Sequence, residues 1–277
     1  MPHRFRRSLS LSDAGAAIAR PQRDTRSNQP EAEVAEQERQ LRERYRRHAE
    51  DYDQAYASYS AQTLHAAERA ILSALAERTL RGESSEPRIL DLACGTGLLS
   101  ERLLAIDQAI HVVGVDLSDE MLARARERIL HTPTREPARE RTGEPTRQPV
   151  RPVDSSRVSF LSGRAEAIPL ASASVHAVVI ANAFHLVREP NAALAECRRV
   201  LAPGGALVIV DWCNDFLSMR LLALGLRMTQ RLERRVIGLS AMERLLAASG
   251  FAVREASHFR ARPAWGMMVV RASLPSA

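Results

Sequence analysis

The sequence predicts an α/β fold, in which an open and mostly parallel sheet carries helices on both faces. Apolar runs of strand length alternate with helical stretches; they cover residues 89–92, 111–116, 157–161, 175–182 and 206–211. The first run leads through a glycine turn into a helix, as in a strand–turn–helix unit. With 277 residues, 45% of them apolar, the chain is long enough for one such domain with appendages.

The N-terminal region differs in composition from the predicted domain. Residues 1–30 carry six arginines and two acids and are predicted to form a disordered basic tail. Residues 31–47 have acid–base neighbours at helical spacing, and a second helix is predicted from about Ser60 to Arg81. The tail has no uninterrupted apolar core, which argues against a secretory signal, although its serines and arginines resemble an organelle-targeting leader.

The glycine turn after the first predicted strand favours a bound ligand. Gly95 and Gly97 allow the positive φ angles and close backbone approach that such a turn requires. A dinucleotide suits a strand–glycine–helix unit, but Ser100 occupies the third glycine position of that motif. Asp91 would also repel phosphates. A ligand with an amino group and no phosphate, such as S-adenosylmethionine (SAM), is therefore favoured.

A second acid stands at the end of the next predicted strand. Asp116 ends the run 111–116 and lies 21 residues after Gly95. A carboxylate at this position can accept hydrogen bonds from both hydroxyls of a ribose. The two acids thus predict one partner for the amino group of SAM and one for its ribose.

These motifs resemble the class I SAM-dependent methyltransferases. The resemblance rests on Asp91-Leu-Ala-Cys-Gly-Thr-Gly97 and Val115-Asp116-Leu-Ser118 and covers roughly residues 45 to 270. Later segments follow the order of the ubiquinone/menaquinone-methyltransferase-like (methyltransferase type 11) branch; they are Gly163–Leu170, Val175–Asn182, Glu196–Gly205, Ala206–Asp211 and Ser240–Phe251. The resemblance implies a Rossmann-like domain with a seven-stranded, mostly parallel sheet, helices on both faces and an antiparallel last strand.

The resemblance also implies how the chain is divided. Residues 86–277 are the expected SAM-binding methyltransferase domain, and the N-terminal helices within 31–85 are expected to cover the cofactor site. Residues 131–157 contain five prolines and no apolar period, so they are predicted to be a disordered insertion before the third strand.

Ligands in sheets of this type bind at the carboxyl ends of the strands. The residues that the resemblance assigns to SAM are Asp91, Ala93, Gly95 and Gly97 for the methionine portion, Asp116 for the ribose, Leu117, Met121, Arg164 and Ala165 for the adenine, and Asn182 for the methionine carbons. Arg164 departs from the family, which commonly has here an acid or amide that accepts from the adenine amino group; arginine has no acceptor. A backbone carbonyl or Glu166 replaces it, or Arg164 turns to solvent.

The transfer itself needs mainly alignment of the methyl group with its acceptor and exclusion of water. His185 follows the fourth predicted strand, where this branch often has a histidine near the acceptor, and it is a candidate catalytic base. The alternative is a structural histidine that starts the next helix. Trp212 either stacks on a flat or apolar acceptor or walls its pocket. Tyr52 and Tyr59 either close over the site or pack the N-terminal helix onto the domain.

The net charge of +6 does not by itself indicate a nucleic-acid partner. All 39 basic residues are arginine, which is typical of codon usage in a GC-rich genome. Residues 31–130 are net −6 and residues 158–277 are net +6, so a basic face on the C-terminal half stays open. A solvated surface is the favoured interpretation, and no nucleic acid is expected as a partner.

The cysteines and apolar segments favour a cytoplasmic protein without a metal. Cys94, Cys197 and Cys213 lack metal-ligand spacing, and Cys94 is expected to fill space beside the first strand rather than act as a nucleophile. No run approaches the roughly 18 apolar residues of a membrane span. Residues 216–226 form a short apolar helix interrupted by Arg220, which favours a substrate lid or an interfacial helix and leaves peripheral membrane contact open.

Three functions from different classes are compatible with the sequence. The first is a methyltransferase that acts on oxygen, carbon or nitrogen of a small-molecule acceptor. The second is an RNA or protein methyltransferase, but Asn182-Ala-Phe-His lacks the prolines of the amide motif that such enzymes carry after strand four. The third is a protein of this fold that binds SAM without catalysing a transfer. The first is favoured, and the oligomeric state is left open.

Overall fold

The computed structural model describes residues 52–131, 154–229 and 236–275, with residues 36, 39, 40, 42 and 43 of the segment before them. Residues Arg39–Ala277 belong to one compact unit. The five described residues between 36 and 43 are helical, as predicted for 31–47. The predicted tail at 1–30 and most of the predicted insertion lie outside the described residues.

Seven strands form a single sheet in the order β3-β2-β1-β4-β5-β7-β6. Strand β7 is antiparallel to both of its neighbours, and the other neighbouring pairs are parallel. The strands are β1 (Arg88–Leu92), β2 (His111–Asp116), β3 (Val158–Ser162), β4 (Val175–Ala181), β5 (Leu201–Trp212), β6 (Ala252–Arg262) and β7 (Trp265–Ser273). The seven-stranded Rossmann-like sheet with an antiparallel last strand is therefore confirmed.

Helices cover the two faces of this sheet. They are α1 (Tyr52–Leu80), α2 (Leu98–Ile106), α3 (Asp119–His131), α4 (Pro190–Val200), α5 (Leu217–Thr229) and α6 (Leu239–Ala248). One buried cluster joins the sheet to Ile71 of α1, Leu103 of α2 and Leu122 of α3. A second cluster joins the opposite face to Leu194 of α4 and Leu246 of α6. Because both faces are covered, the central strands are apolar at nearly every position.

Three boundaries differ from those predicted. Helix α1 begins at Tyr52 rather than about Ser60. Strand β5 begins at Leu201, and the predicted Pro-Gly-Gly turn instead lies within it, where its register with β4 shifts between Val175 and Ala177. Residues 155–157, assigned from sequence to the disordered insertion, form a 3₁₀ turn capped by Asp154. The Arg157 side chain fixes that turn by donating to the carbonyls of Leu104, Asp107 and Ile110.

Candidate cofactor and acceptor site

The turn after β1 runs along the carboxyl edge of the sheet in a left-handed conformation. Ala93, Gly95 and Gly97 have φ angles of 61°, 54° and 74°. A Cβ atom built on Gly95 would meet nothing within 4 Å, so open space lies beside this residue. A Cβ atom on Gly97 would lie 2.9 Å from the Cβ of Ala125, so Gly97 is needed for the packing of α2 on α3. Of the two glycines, only Gly95 has room beside it for a ligand.

Asp91 is a buried carboxylate at the end of β1. It is 2% exposed, and its Oδ2 accepts a hydrogen bond of 2.7 Å from the Ser100 hydroxyl. Burial raises the pKa of Asp91 to about 7, and the nearby Asp116 carboxylate adds to this effect. A cation placed beside Asp91 would lower this pKa, so the carboxylate is suited to hold an amino group.

Asp116, at the end of β2, is tied to the glycine turn. Its Oδ2 accepts from the Gly95 amide at 2.8 Å, and its Oδ1 accepts from the Ser118 amide at 2.9 Å. Burial raises the pKa of this carboxyl group, and the two amide hydrogen bonds oppose the increase. Since a carboxylate offers about four lone-pair sites, Asp116 retains capacity for ligand hydroxyls.

Asn182 follows β4, which is the strand next to β1. Its φ angle is 57°, uncommon for a residue other than glycine. Its Nδ2 donates to the Thr63 hydroxyl of α1 at 2.9 Å, while its Oδ1 is buried without a hydrogen-bond partner among the described residues. A buried acceptor without a donor is costly, so Asn182 Oδ1 fits a ligand that carries an N–H group. Asn182 Oδ1, Asp91 and the space beside Gly95 thus belong to the carboxyl ends of two neighbouring strands.

Helix α1 crosses the glycine turn at its N-terminal end. The Thr96 hydroxyl donates to Asp53 Oδ1 at 2.6 Å, and Arg128 of α3 forms an ion pair with the same carboxylate. Arg128 Nε also donates to the Thr96 carbonyl at 2.9 Å. Asp53 thus joins the N-terminal helix to the turn. Tyr52 and Tyr59 belong to this helix, but their side chains lie outside the described residues.

The predicted adenine contacts lie beyond the ends of β2 and β3. Met121 is buried and Leu117 is partly exposed. Arg164 and Ala165 occupy a tight turn, in which the Ala167 amide donates to the Arg164 carbonyl at 3.2 Å. The Arg164 side chain lies 3.7 Å from the Glu166 carboxylate.

His185 forms a buried pair with Asp211 at the carboxyl edge of the sheet. His185 Nδ1 lies 2.7 Å from Asp211 Oδ1, and the His185 amide donates to Asp211 Oδ2 at 2.5 Å. The Asp211 carboxylate also accepts from the Trp212 amide at 2.8 Å. The Trp212 ring stacks on the imidazole, with 4.2 Å between ring centroids. The imidazole is therefore fixed in both position and tautomer.

The pair leaves the other imidazole nitrogen available for chemistry. With Nδ1–H donating to Asp211, Nε2 is the basic nitrogen, and it makes no hydrogen bond within the described part of the chain. His185 lies within a 3₁₀ turn over Phe184–Leu186, and both its amide and its imidazole are held by the Asp211 carboxylate rather than by backbone.

Cys94 has the packing role expected of it, and His176 is bound within the sheet. Cys94 is buried in the core beside Gly114, and burial raises the pKa of its thiol well above the ordinary value, which disfavours the nucleophilic thiolate. His176 lies near the amino end of β4, where its Nδ1 accepts from the Arg88 amide at 2.9 Å. No group of residues able to hold a metal ion is present in the segments that the structure describes.

A separate shallow cleft opens at the opposite edge of the sheet, lined by the end of α1 and by His176. Its buried arginines are already paired: Arg78 with Glu83 and Arg271 with Glu77, both at 2.8 Å. The Arg271–Glu77 ion pair fastens α1 to β7.

Comparison with known proteins agrees with this geometry. Residues 90–209 match the family model of a methyltransferase domain. The chain is 33% identical over 141 residues to the ubiquinone/menaquinone biosynthesis C-methyltransferase of Syntrophotalea carbinolica, covering 51% of this chain and 49% of that protein. It is 36% identical over 130 residues to the demethylmenaquinone methyltransferase of Thermus thermophilus, covering 47% and 49% respectively. The chain spans about half the length of the curated relatives it matches.

Solved structures with the same fold have more distant sequences. A SAM-dependent methyltransferase of Thermotoga maritima, described as a possible histamine N-methyltransferase, matches with a TM-score of 0.56 and 18% identity over 83% of this chain and 97% of that one. The [4+2]-cyclase SpnF matches with a TM-score of 0.52 and 19% identity over 70% and 76% of the two chains. These likenesses show the fold and not the reaction.

The strand order and the left-handed glycine turn are those of the Rossmann-like fold of class I methyltransferases, and residues 90–209 match a methyltransferase domain. The curated relatives that the chain resembles, over about half of their length, are ubiquinone/menaquinone methyltransferases. SAM is the cofactor that this class implies.

Several residues of the site had no assigned role in the sequence. Thr63 and Asp53 belong to α1, and each contacts a residue at the sheet edge that lies far along the chain, 119 residues away for Thr63 and 43 for Asp53. Asp211 ends the predicted apolar run 206–211, and nothing in the sequence pairs it with His185.

Proposed function

We propose that this protein transfers the methyl group of SAM to a small aromatic acceptor with an acidic hydroxyl, of the quinol type. The observation that carries the proposal is the His185–Asp211 pair at the carboxyl edge of the sheet, one strand away from the glycine turn. The names of the curated relatives, which act in quinone biosynthesis, support the choice of acceptor class.

The residues at the ends of β1, β2 and β4 would hold the cofactor. Asp91 and Asn182 Oδ1 receive its amino group, the backbone beside Gly95 accommodates the methionine chain, and Asp116 accepts from the ribose hydroxyls. Leu117, Met121, Ala165 and the Arg164 turn would hold the adenine. SAM supplies a methyl group on a positively charged sulfonium, so the protein needs mainly to align the acceptor and exclude water.

The His185–Asp211 pair would remove the acceptor proton. Nε2 takes the proton from a ring hydroxyl, and Asp211 stabilises the resulting imidazolium through its hydrogen bond to Nδ1. The ring oxygen then bears the electron pair, which increases the electron density at the neighbouring ring carbon. The methyl group would bond to the oxygen or to that carbon as its bond to the sulfonium sulfur breaks, and S-adenosylhomocysteine would leave. Transfer to carbon would be completed by loss of the ring C–H proton to solvent, which restores the aromatic ring.

Trp212 would form one wall of the acceptor pocket. Its ring is 4% exposed and lies against the imidazole, so a flat acceptor beside His185 also meets the indole. Tyr52 and Tyr59 are proposed to contribute from α1, which reaches the same edge through Thr63 and Asp53.

The test is methyl transfer from labelled SAM to a short-chain demethylated quinol, measured with wild type, His185→Gln and His176→Gln. His176 is the matched control, because it lies near the opposite end of β4. The proposal expects kcat for His185→Gln to fall by a factor of about 10² to 10⁴ with little change in SAM affinity, and His176→Gln to stay near wild type. Equal activity of His185→Gln and wild type would exclude His185 as the base.

Two other functions give different results in the same experiment. Label in RNA or protein, with none in the quinol, would support a macromolecular acceptor. SAM binding without transfer to any acceptor would support a non-catalytic or differently catalytic protein, and the cyclase with this fold makes that a specific alternative.

A further inference from the structure

Helix α5 presents apolar side chains on both of its faces. On the inner face Met219 is buried, and it packs with Trp212, Ala261 and Met267. On the outer face Leu217, Leu221 and Leu224 are 71%, 62% and 57% exposed. These three residues are called the leucine face below.

The leucine face is continuous rather than a scatter of single residues. Its members are four and three residues apart, so they lie on one side of the helix. Single exposed leucines, such as Leu80 at the end of α1, are ordinary on protein surfaces. A row of three exposed leucines beside a candidate functional site indicates a surface that binds a protein or a membrane.

Positive charge accompanies the leucine face. Arg220 is exposed on the same side of α5, and its Nε donates to the Asn214 carbonyl at 3.0 Å. Arg260 of β6 is also exposed, with its guanidinium carbon 4.7 Å from the centre of the Phe216 ring, next to Leu217. The nearest acid along the chain, Asp215, accepts from the Leu239 amide at 2.9 Å. Exposed leucines beside arginines are the composition of a helix that lies on an anionic lipid surface.

We propose that the leucine face and Arg220 dock this protein on the surface of an anionic membrane. The leucines enter the boundary between headgroups and acyl chains, and Arg220 and Arg260 lie at the level of the lipid phosphates. No described helix is long and apolar enough to cross a membrane, so α5 lies along the surface.

Docking would place the lipid beside the acceptor pocket. The inner face of α5 packs on Trp212, whose ring stacks on His185. An acceptor that dissolves in the membrane would then approach the candidate base from the side of α5 and Trp212. This consequence rests on the proposed function, whereas the docking itself does not.

The experiment is co-sedimentation of the full chain with vesicles, in the absence of SAM. One set of vesicles contains phosphatidylcholine alone, and the other contains equal parts of phosphatidylcholine and phosphatidylglycerol. Wild type is compared with Leu221→Gln, with the triple change L217Q/L221Q/L224Q, with Arg220→Gln, and with Leu80→Gln as the matched exposed-leucine control. SAM binding and thermal unfolding verify that each variant is folded.

Wild type is expected to bind the anionic vesicles more tightly than the neutral ones, and added salt should reduce the difference. Leu221→Gln should lower the partition coefficient by about tenfold, and the triple change should abolish binding. Arg220→Gln should lower it by about fivefold on anionic vesicles alone. Leu80→Gln should bind as wild type does.

The proposal is overturned if wild type stays in the supernatant with both vesicles, or if the triple variant binds as wild type does. It is also overturned if light scattering shows a dimer that the triple variant disrupts and that binds no vesicle, because the leucine face is then a contact between two copies. Vesicle binding with no methyl transfer would refute the proposed function and leave the docking intact.

Discussion

Replacement of Asp91 by asparagine is expected to stabilise the protein without ligand at alkaline pH and to weaken its binding of SAM. Asp91 is buried, and its pKa is raised from 3.8 to about 7. A shift of this size corresponds to roughly 4 kcal/mol of unfavourable free energy when the carboxyl group is ionised. Asparagine has a similar shape and keeps an oxygen that accepts from the Ser100 hydroxyl. It removes the charge and therefore this free-energy cost.

The pH dependence of this effect follows from the direction of the pKa shift. A folded pKa above the unfolded one means that the folded state binds the proton more strongly. The contribution of Asp91 to the free energy of unfolding is fully present below about pH 4, and it is lost as the pH rises through about 7. Asp91→Asn has no such loss, so the variant and wild type should differ little at about pH 4 and most at about pH 8.

Urea denaturation at several pH values measures the first part of this prediction. The variant should have the larger free energy of unfolding at about pH 8, by up to about 4 kcal/mol. Calorimetric titration measures the second part, since the variant lacks the charge for the amino group and should bind SAM about 3 kcal/mol less tightly. A variant that is less stable than wild type at the alkaline pH, or that binds SAM equally well, would refute the reasoning.

Three further substitutions have expected outcomes that follow from the same geometry. Asp116→Ala should weaken the binding of SAM by about 2 kcal/mol and change the free energy of unfolding by less, because the lost hydrogen bonds include those to the ribose. An unchanged affinity in calorimetry would contradict the ribose assignment. Gly97→Ala should lower the free energy of unfolding by more than Gly95→Ala, since only Gly97 lacks room for a Cβ atom; Gly95→Ala should instead reduce SAM affinity, and the opposite pattern would reverse the two roles. Asp53→Ala should weaken the binding of SAM by about 1 kcal/mol, because α1 loses its contacts with the turn at Thr96. A SAM affinity equal to that of wild type would show that these contacts are independent of the cofactor.

The part of the site carried by local sequence could be predicted. Asp91, Asp116 and Asn182 each follow an apolar run, and parallel strands bring their carboxyl ends to one edge. The glycine turn requires positive φ angles, and these are present at Gly95 and Gly97. Such features depend on a few neighbouring residues, so a single sequence contains them.

The contacts that complete the site could not be predicted, because they join residues that are distant in sequence. Asn182 donates to Thr63 across 119 residues, and Asp53 accepts from Thr96 across 43. The side of α1 that faces the edge is set by packing of the whole helix, whose apolar residues do not follow a pronounced stripe along its 29 residues. The role of Asp211 likewise depended on where the turn after β4 carries His185.

Two residues with positive φ angles and a buried carboxylate lie at the edge of the sheet where the cofactor is proposed to bind. Ala93 and Asn182 follow adjacent strands, and each has a positive φ angle that costs of order 1 to 3 kcal/mol in a residue other than glycine. Asp91 is a buried acid on the same edge, and Asn182 Oδ1 is a buried acceptor without a donor. Ala173 also has a positive φ angle but lies in the turn before β4, at the opposite edge, so strain alone does not identify the site. What distinguishes the carboxyl edge is that two positive φ angles, a buried carboxylate and a buried acceptor without a donor occur there together among the described residues.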